Sequence, residues 1–210
     1  MNNIFIVYGN QDPKMLQEVS ALLSCVNVTP RVLQDYPLNG QTIIEALESI
    51  NDCKHALFLY SPLDKCCARN QKYTFRARQN VVFESGYFMA GFGRCNVAFV
   101  MKKDVKKPLE EPSDVNGVLK VYKGKNNKWK IDLLKQIEKW FQINCANEIL
   151  KIQYEKEIAK IQNSLHSPFD RGDVRQILRS SLKKAKDVID AMLQLNLIQQ
   201  INKSQYETFH

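Results

Sequence analysis

The chain has 210 residues, a mass of 24.3 kDa and 44% hydrophobic residues, enough for one α/β domain and a small second module. No apolar run reaches the roughly 20 residues needed to cross a bilayer, and residues 1–3 lead into a strand-like segment without a signal-peptide pattern. We therefore expect a cytoplasmic protein without a membrane partner. Its net charge of +8 suggests nucleic acid or a polyanionic ligand.

The cysteines and histidines do not follow a metal-binding pattern. The six cysteines contain no CxxC pair, and the three histidines lack the spacing of metal ligands. These patterns disfavour a disulfide framework, a metal site and metal catalysis.

The first two thirds of the chain alternate between strand and helix patterns. Residues 3–8 predict a strand, and Asp12-Pro13 predicts an N-cap followed by proline at the first helical position. Thr42 and Glu45 have the spacing of a capping box. Residues 55–60 are almost continuously apolar, as expected of a central strand covered on both faces. Further strands are predicted at 28–33, 96–101 and 118–122, helices at 43–50 and 129–141, and a polar loop at 61–76.

This alternation predicts an α/β fold with an open, five-stranded parallel sheet of the flavodoxin-like type. Such sheets bind ligands outside the carboxyl ends of their strands, which here are residues 8–10, 35–36, 60–62 and 102–103. No G-x-G-x-x-G follows the first strand and no Walker A motif is present, so neither a Rossmann dehydrogenase nor a P-loop NTPase is favoured.

One acidic residue, Glu84, lies in a segment that otherwise has the pattern of a buried helix. Its sequence, R-A-R-Q-N-V-V-F-E-S-G-Y-F, covers residues 76–88. The predicted core stripe of this helix consists of Val81, Val82, Ser85, Phe88, Met89 and Phe92. Glu84 falls beside that stripe, which fits a functional acid. It also fits an acid that complements the helix dipole in the first turn after an Asn80 N-cap, and local chemistry leaves both interpretations open.

Four segments together resemble the bacterial TIR-like nucleotide-binding family, which includes the TIR effectors of cyclic-nucleotide anti-phage systems such as TIR-STING. They are residues 4–10, 39–45 (N-G-Q-T-I-I-E), 76–88 and 112–119 (P-S-D-V-N-G-V-L). The resemblance covers about two thirds of the chain, residues 1–144. It implies a TIR fold, NAD⁺ as the substrate rather than a cofactor, and cleavage of the bond between nicotinamide and ribose.

The resemblance also implies roles for individual residues. Glu84 matches the catalytic glutamate, residues 39–42 match a mobile loop over the substrate, and Asp114 matches an acidic position near the pocket. Relatives commonly have histidines flanking Gly9, where this chain has Tyr8 and Asn10. The candidate substrate-binding residues are Tyr8, Gly9, Asn10, Gly40, Thr42, Tyr60, Arg78, Asn80, Tyr87 and Asp114.

Some of these candidates also follow from chemistry. Tyr8, Tyr36 and Tyr60 at strand ends could stack on a ring, and Arg76 or Arg78 could contact a pyrophosphate. For each of them, packing or surface charge is the alternative interpretation.

A single carboxylate suffices for the implied reaction. Glycosidases use two carboxyl groups because the alkoxide leaving group must be protonated, whereas the cationic nicotinamide of NAD⁺ leaves as a neutral base. The enzyme then has to stabilise an oxocarbenium-like sugar, which a desolvated carboxylate does electrostatically. Whether the product is ADP-ribose or a cyclised isomer stays open.

The basic residues are unevenly distributed. Residues 102–130 contain nine lysines and four acidic residues, a segment that is either solvated surface or a patch that attracts phosphates.

Residues 145–210 are predicted to form a separate module. An apolar seam over residues 145–165 suits packing on another helix, in this chain or in a second copy. Two short amphipathic helices and a hairpin at residues 197–209 resemble a winged helix. Residues 148–210 hold ten Lys/Arg and eight Asp/Glu, a balance that disfavours nucleic acid as a partner.

We expect this module to serve oligomerisation or sensing, with homo-oligomers forming through it or through TIR–TIR contacts. The competing function is a non-catalytic TIR-like adaptor or a DNA-binding regulator, in which Glu84 is a capping acid.

Overall fold

A computed structural model of the chain describes residues 2–36, 40–67, 73–165 and 167–208. The predicted loop residue Asn39 and the last predicted hairpin residue, Phe209, lie outside the described residues. The chain divides into two compact units, Met1–Ile143 and Asn144–His210. Within the described ranges, no helix combines the length and the apolar character needed to cross a membrane.

The first unit is built from alternating strands and helices. Its strands are β1 (Asn3–Tyr8), β2 (Thr29–Arg31), β3 (Ala56–Tyr60), β4 (Asp64–Cys67), β5 (Tyr73–Arg76), β6 (Val97–Lys102) and β7 (Leu119–Lys123). Its helices are α1 (Pro13–Ser24), α2 (Ile43–Glu48), α3 (Gln79–Phe92) and α4 (Lys128–Phe141), with short 3-10 turns at Leu33–Asp35 and Arg94–Asn96.

Five strands form one parallel sheet in the order β2-β1-β3-β6-β7, which confirms the predicted flavodoxin-like fold class. Every residue of β3 is buried, as its continuous apolar sequence predicts. The core between the sheet and α3 is aromatic, with Phe5 and Phe88 ring centroids 4.6 Å apart and Phe58 and Phe99 centroids 5.1 Å apart. The strand order reverses between β1 and β3, so a ligand crevice is expected at their carboxyl ends.

Helix α3 begins earlier than predicted. Its N-cap is Arg78 rather than Asn80, so Glu84 is the sixth helical residue, and the first turn contains no acidic residue. The buried stripe consists of Val81, Ser85 and Phe88, whereas the side chain of Val82 is 41% exposed, contrary to the prediction. The buried stripe is narrower than the predicted one because only one side of the helix faces the sheet. Since Glu84 lies beyond the first turn, the interpretation as a dipole-complementing acid loses its basis.

The predicted loop at residues 61–76 instead contains the antiparallel hairpin β4–β5. Its second strand also pairs with a distant segment: the Phe75 N–H donates to the Pro108 carbonyl at 3.0 Å, and the Glu110 N–H donates to the Phe75 carbonyl at 2.7 Å. The sequence does not indicate this hairpin, because its first strand, D-K-C-C, lacks the alternating apolar pattern that predicts a strand.

The second unit is helical with a small antiparallel sheet. Its elements are α5 (Ala146–Ser164), β8 (Phe169–Asp170), α6 (Arg171–Leu178), α7 (Leu182–Gln194), β9 (Ile198–Gln200) and β10 (Gln205–Thr208). The sheet order is β8-β10-β9. This succession of helix, strand, two helices and a hairpin is that of a winged helix. Ile158 and Ile161 of α5 pack into the core of the same unit, so this part of the predicted seam is used internally.

Candidate active site

A cavity of about 200 Å³ lies at the carboxyl end of β1, where the fold predicts a ligand. Its floor and walls come from β1 and the loop after it, the 3-10 turn after β2, and the first residues of α2 and α3. The lining residues are Phe5, Ile6, Tyr8, Gly9, Asn10, Leu33, Gln34, Ile43, Arg78, Asn80, Val81 and Glu84.

Glu84 is the only acidic residue among those described around this cavity. Burial raises the pKa of its carboxyl group to about 7, and none of the described residues gives it a hydrogen bond or an ion pair. The group therefore exchanges its proton near neutral pH, a property typical of functional carboxyl groups in clefts.

Arg78 supplies positive charge to the same cavity. Its Nε lies 3.3 Å from Oδ1 of Asp64, and its side chain is 43% exposed. A guanidinium has five N–H donors, so one ion pair leaves others available to an anionic ligand.

Gly9 lets the backbone of the first loop approach α3. A Cβ atom at this position would lie 2.8 Å from Cδ1 of Leu63 and 3.3 Å from Cγ of Arg78. Contacts at 2.8 Å require a neighbour to move, so glycine keeps the loop and Arg78 in their present arrangement.

Asp12 anchors the other end of this loop. Its carboxylate accepts hydrogen bonds from Nζ of Lys102 at 2.7 Å and from Oγ of Ser61 at 2.6 Å, while its own N–H donates to the Gly9 carbonyl at 2.9 Å. Burial by itself would raise the pKa of Asp12, but the hydrogen bonds from Lys102 and Ser61 outweigh it and lower the pKa. The carboxyl ends of β3 and β6 thus hold the loop that follows β1.

The structure brings Tyr8, Gly9, Asn10, Arg78 and Asn80 together with Glu84, as the predicted site requires. The loop residues Gly40 and Thr42 are not among the lining residues, although their neighbour Ile43 is. Thr42 instead forms the predicted capping box with Glu45, and Gly40 has a positive φ of 84°.

Three other candidates lie outside the cavity. The Tyr60 ring is 2% exposed and packs edge-on against Phe99 at 4.9 Å, so it cannot stack on a ligand. Tyr87 packs against Phe88 with ring centroids 5.5 Å apart. Asp114 is exposed, accepts a hydrogen bond from Ser113 at 3.2 Å and is not among the residues that line this cavity.

Arg76 and Tyr36 are also engaged elsewhere. The Arg76 guanidinium donates two hydrogen bonds to the Glu110 carboxylate, at 2.9 and 2.7 Å. The hydroxyl of Tyr36 donates to Asp52, and the Arg31 guanidinium lies 5.1 Å from its ring centroid. Of the two arginines considered for a pyrophosphate, Arg78 is therefore the one at the cavity.

Sequence reasoning missed the apolar part of the site. Phe5 and Ile6 belong to the predicted strand 3–8, Leu33 ends the predicted strand 28–33 and Ile43 starts the predicted helix 43–50; these residues and Gln34 line the cavity but are not among the candidates. The rule that ligands bind at the carboxyl ends of parallel strands points to residues 33–34, because they follow the end of β2 at Arg31 after one residue. Within the described ranges, no group of three or more His, Cys, Asp or Glu residues could hold a metal ion.

The first unit is thus a doubly wound α/β domain whose ligand crevice lies where the strand order reverses and contains one shielded acid. The family model described as "CAP12/Pycsar effector protein, TIR domain" matches residues 3–125. The chain therefore belongs to this family of TIR-domain effectors.

Two curated proteins are similar to this chain. The uncharacterized protein YuaY of Escherichia coli (strain K12) is 37% identical over 136 residues, which cover 64% of this chain and 44% of that protein. Protein tirC of Dictyostelium discoideum is 38% identical over 122 residues, which cover 54% of this chain and 60% of that protein. The chain thus spans about half the length of the curated relatives it matches.

Proposed function

We propose that the first unit is an NAD⁺ glycohydrolase that cleaves the nicotinamide–ribose bond, with Glu84 as its catalytic residue. The observation that carries this proposal is the position of Glu84: an unpaired, largely buried carboxyl group in the crevice of a TIR domain. We further propose that the protein acts as an anti-phage effector that is activated by assembly into a homo-oligomer.

The proposed reaction breaks the bond between ribose C1′ and the nicotinamide nitrogen. The electron pair of that bond stays with nicotinamide, which leaves as a neutral base. Water then adds its oxygen to C1′ and loses a proton, giving ADP-ribose; attack by a nitrogen of the adenine ring would give the cyclised isomer instead.

The surroundings of Glu84 suit this sequence of steps. A cationic nicotinamide–ribose beside the acid favours its charged form and lowers its pKa from about 7. The resulting carboxylate stabilises the positive charge that develops on the sugar, in a site that excludes much of the surrounding water.

Two neighbours would fix the substrate. Arg78 would bind the pyrophosphate with N–H donors that its ion pair with Asp64 leaves unused. Tyr8, which lines the same cavity, would pack against a ring of the dinucleotide.

The test is NAD⁺ consumption by the purified full chain, resolved by product mass, with and without a crowding agent that promotes assembly. Glu84→Gln keeps the size of the side chain and removes its charge, so we expect turnover to fall by roughly a hundredfold or more. Glu48→Gln, an exposed glutamate on α2, is the matched control and should retain activity.

Equal activity of the wild-type and Glu84→Gln proteins would refute the assignment of Glu84. Binding of NAD⁺ without turnover in the crowded sample would support a non-catalytic adaptor instead.

A further inference from the structure

The positive charge of the second unit is concentrated in one short segment. Residues 171–186 contain six Lys/Arg and one acidic residue, whereas the rest of residues 148–210 contain four Lys/Arg and seven acidic residues. The near balance over the whole module therefore conceals a basic segment, which consists of α6, the turn after it and the start of α7.

Arg171 and Arg175 lie on α6, and Arg179 is the C-cap residue of that helix. Arg171, Arg175 and Arg179 follow one another at intervals of four residues, and all three are exposed. Arg171 donates a hydrogen bond to the Tyr206 hydroxyl at 3.2 Å. Arg175 and Arg179 line a shallow, open cavity of about 420 Å³, together with Gly172, Gln176 and Ser180. Neither arginine forms an ion pair with any described residue.

The two helices that carry this charge are fixed by caps and by the core. The Asp170 carboxylate accepts from the N–H groups of Gly172 and Asp173 at the start of α6, and the Ser181 hydroxyl accepts from the Lys184 N–H at the start of α7. Val174 of α6 and Val188 of α7 are fully buried. The arginine side of α6 therefore faces away from the core.

The start of α7 continues the basic surface. Lys183 and Lys186 are exposed, whereas Lys184 is held by Glu157 of α5 at 2.6 Å. Asp187 and Asp190 follow on the same helix, so the positive potential ends after its first half.

We propose that the second unit binds duplex DNA, with the α6 arginines on the phosphate backbone and the first half of α7 in the major groove. Two observations support this occupant. The element order is that of a winged helix, and in helix-turn-helix proteins the first helix crosses the backbone while the N-terminal residues of the second contact bases. Unpaired arginines are also the groups that bind phosphates with several donors at once.

DNA binding by the second unit does not depend on the proposed NAD⁺ chemistry of the first. Glu84→Gln should therefore bind DNA as the wild type does.

The test is fluorescence anisotropy of a labelled mixed-sequence duplex of about 20 base pairs, titrated with the full chain between about 50 and about 200 mM salt. We expect Arg175→Gln/Arg179→Gln to lower affinity by roughly tenfold or more at the lowest salt. The slope of log K against log salt should become less steep by about two, because two phosphate contacts are lost.

The matched control is Lys135→Gln/Lys139→Gln, which removes the same charge from exposed positions of the first unit, four residues apart on α4 and outside the lysine-rich segment 102–130, and should leave both affinity and slope unchanged. Circular dichroism checks that the variants are folded. A second variant, Lys183→Gln, should weaken binding without changing the fold.

The proposal is overturned if the wild type fails to bind the duplex at the lowest salt or if both double variants weaken binding equally. Tighter binding of the corresponding single strand would overturn it as well.

Discussion

Replacing Glu84 by glutamine should stabilise the first unit above neutral pH. The ordinary pKa of a glutamate is 4.5, and burial raises that of Glu84 to about 7 in the folded protein. Below pH 4.5 the group is protonated in both states and has no effect. As the pH rises to about 7, the unfolded chain ionises while the folded protein keeps its proton, so stability falls.

The size of this effect follows from the same values. The difference between the pKa of 4.5 in the unfolded chain and about 7 in the folded protein lowers the free energy of unfolding by roughly 3 kcal/mol at neutral to alkaline pH. Solvent screening around the partly exposed side chain reduces the expected cost to about 1 to 3 kcal/mol. Glutamine resembles the protonated acid and avoids this cost.

Urea unfolding followed by tryptophan fluorescence measures this difference in the first unit alone, because Trp129 and Trp140 are the two tryptophans of the chain. The free energy of unfolding of Glu84→Gln should exceed that of the wild type at pH 8 and equal it near pH 4. Glu48→Gln should differ from the wild type by less than about 0.5 kcal/mol at either pH. If the free energy of unfolding of Glu84→Gln does not rise relative to that of the wild type between pH 4 and pH 8, Glu84 is not an acid shielded from water.

Three further substitutions test the surroundings of the cavity. Asp12→Asn should lower the free energy of unfolding by about 1 to 3 kcal/mol at pH 7, since it weakens a partly buried hydrogen-bond network. Because the pKa of Asp12 is lowered in the folded protein, this difference should shrink when urea unfolding is repeated at more acidic pH. Gly9→Ala should reduce kcat/KM for NAD⁺ by roughly tenfold, because the added Cβ displaces Arg78. Its Tm should change little, since the atom nearest to the added Cβ is the end of a flexible leucine side chain. An unchanged kcat/KM would contradict the close approach of the loop to Arg78. Arg76→Gln should raise the pKa of Glu110 from about 2 toward its ordinary value, because the hydrogen bonds from Arg76 are the main cause of that low pKa. Carboxyl NMR titration measures this change. The same variant should keep the kcat/KM of the wild type, since Arg76 lies outside the cavity.

Much of the fold could be predicted because its determinants are local. The continuous apolar run of β3 indicates a strand covered on both faces, and Asp12-Pro13 and Thr42 mark helix starts that the structure confirms. The hairpin β4–β5 is not indicated by the sequence, because its first strand, D-K-C-C, has no alternating apolar pattern; the contact of β5 with residues 108–110 is long-range and equally absent from local patterns. The N-cap of α3 was misplaced because asparagine is a preferred capping residue, yet Arg78 occupies the cap without a side-chain hydrogen bond.

The sequence predicts residues of the site only where they follow the carboxyl ends of parallel strands, which lie at the same edge of the sheet. Tyr8, Asn10 and Glu84 could be assigned to one edge because parallel strands end on the same side. The same rule also selected Tyr60, which is one of the strand-end residues but points into the core. Whether a residue at the end of a strand faces the crevice depends on the pleat and on its neighbours, which residue type alone does not determine.

The surroundings of two carboxyl groups near the carboxyl ends of the sheet strands shift their pKa values in opposite directions. Asp12 has Lys102 and Ser61 as partners and stays ionised, which suits a structural anchor. Glu84 is buried without a partner, and burial raises its pKa to about 7. When environments separate the pKa values of nearby acids in this way, the poised acid is the one expected to act on a ligand. A cationic substrate would supply the charge that Glu84 lacks, and the anchored loop would keep the crevice in place while it binds.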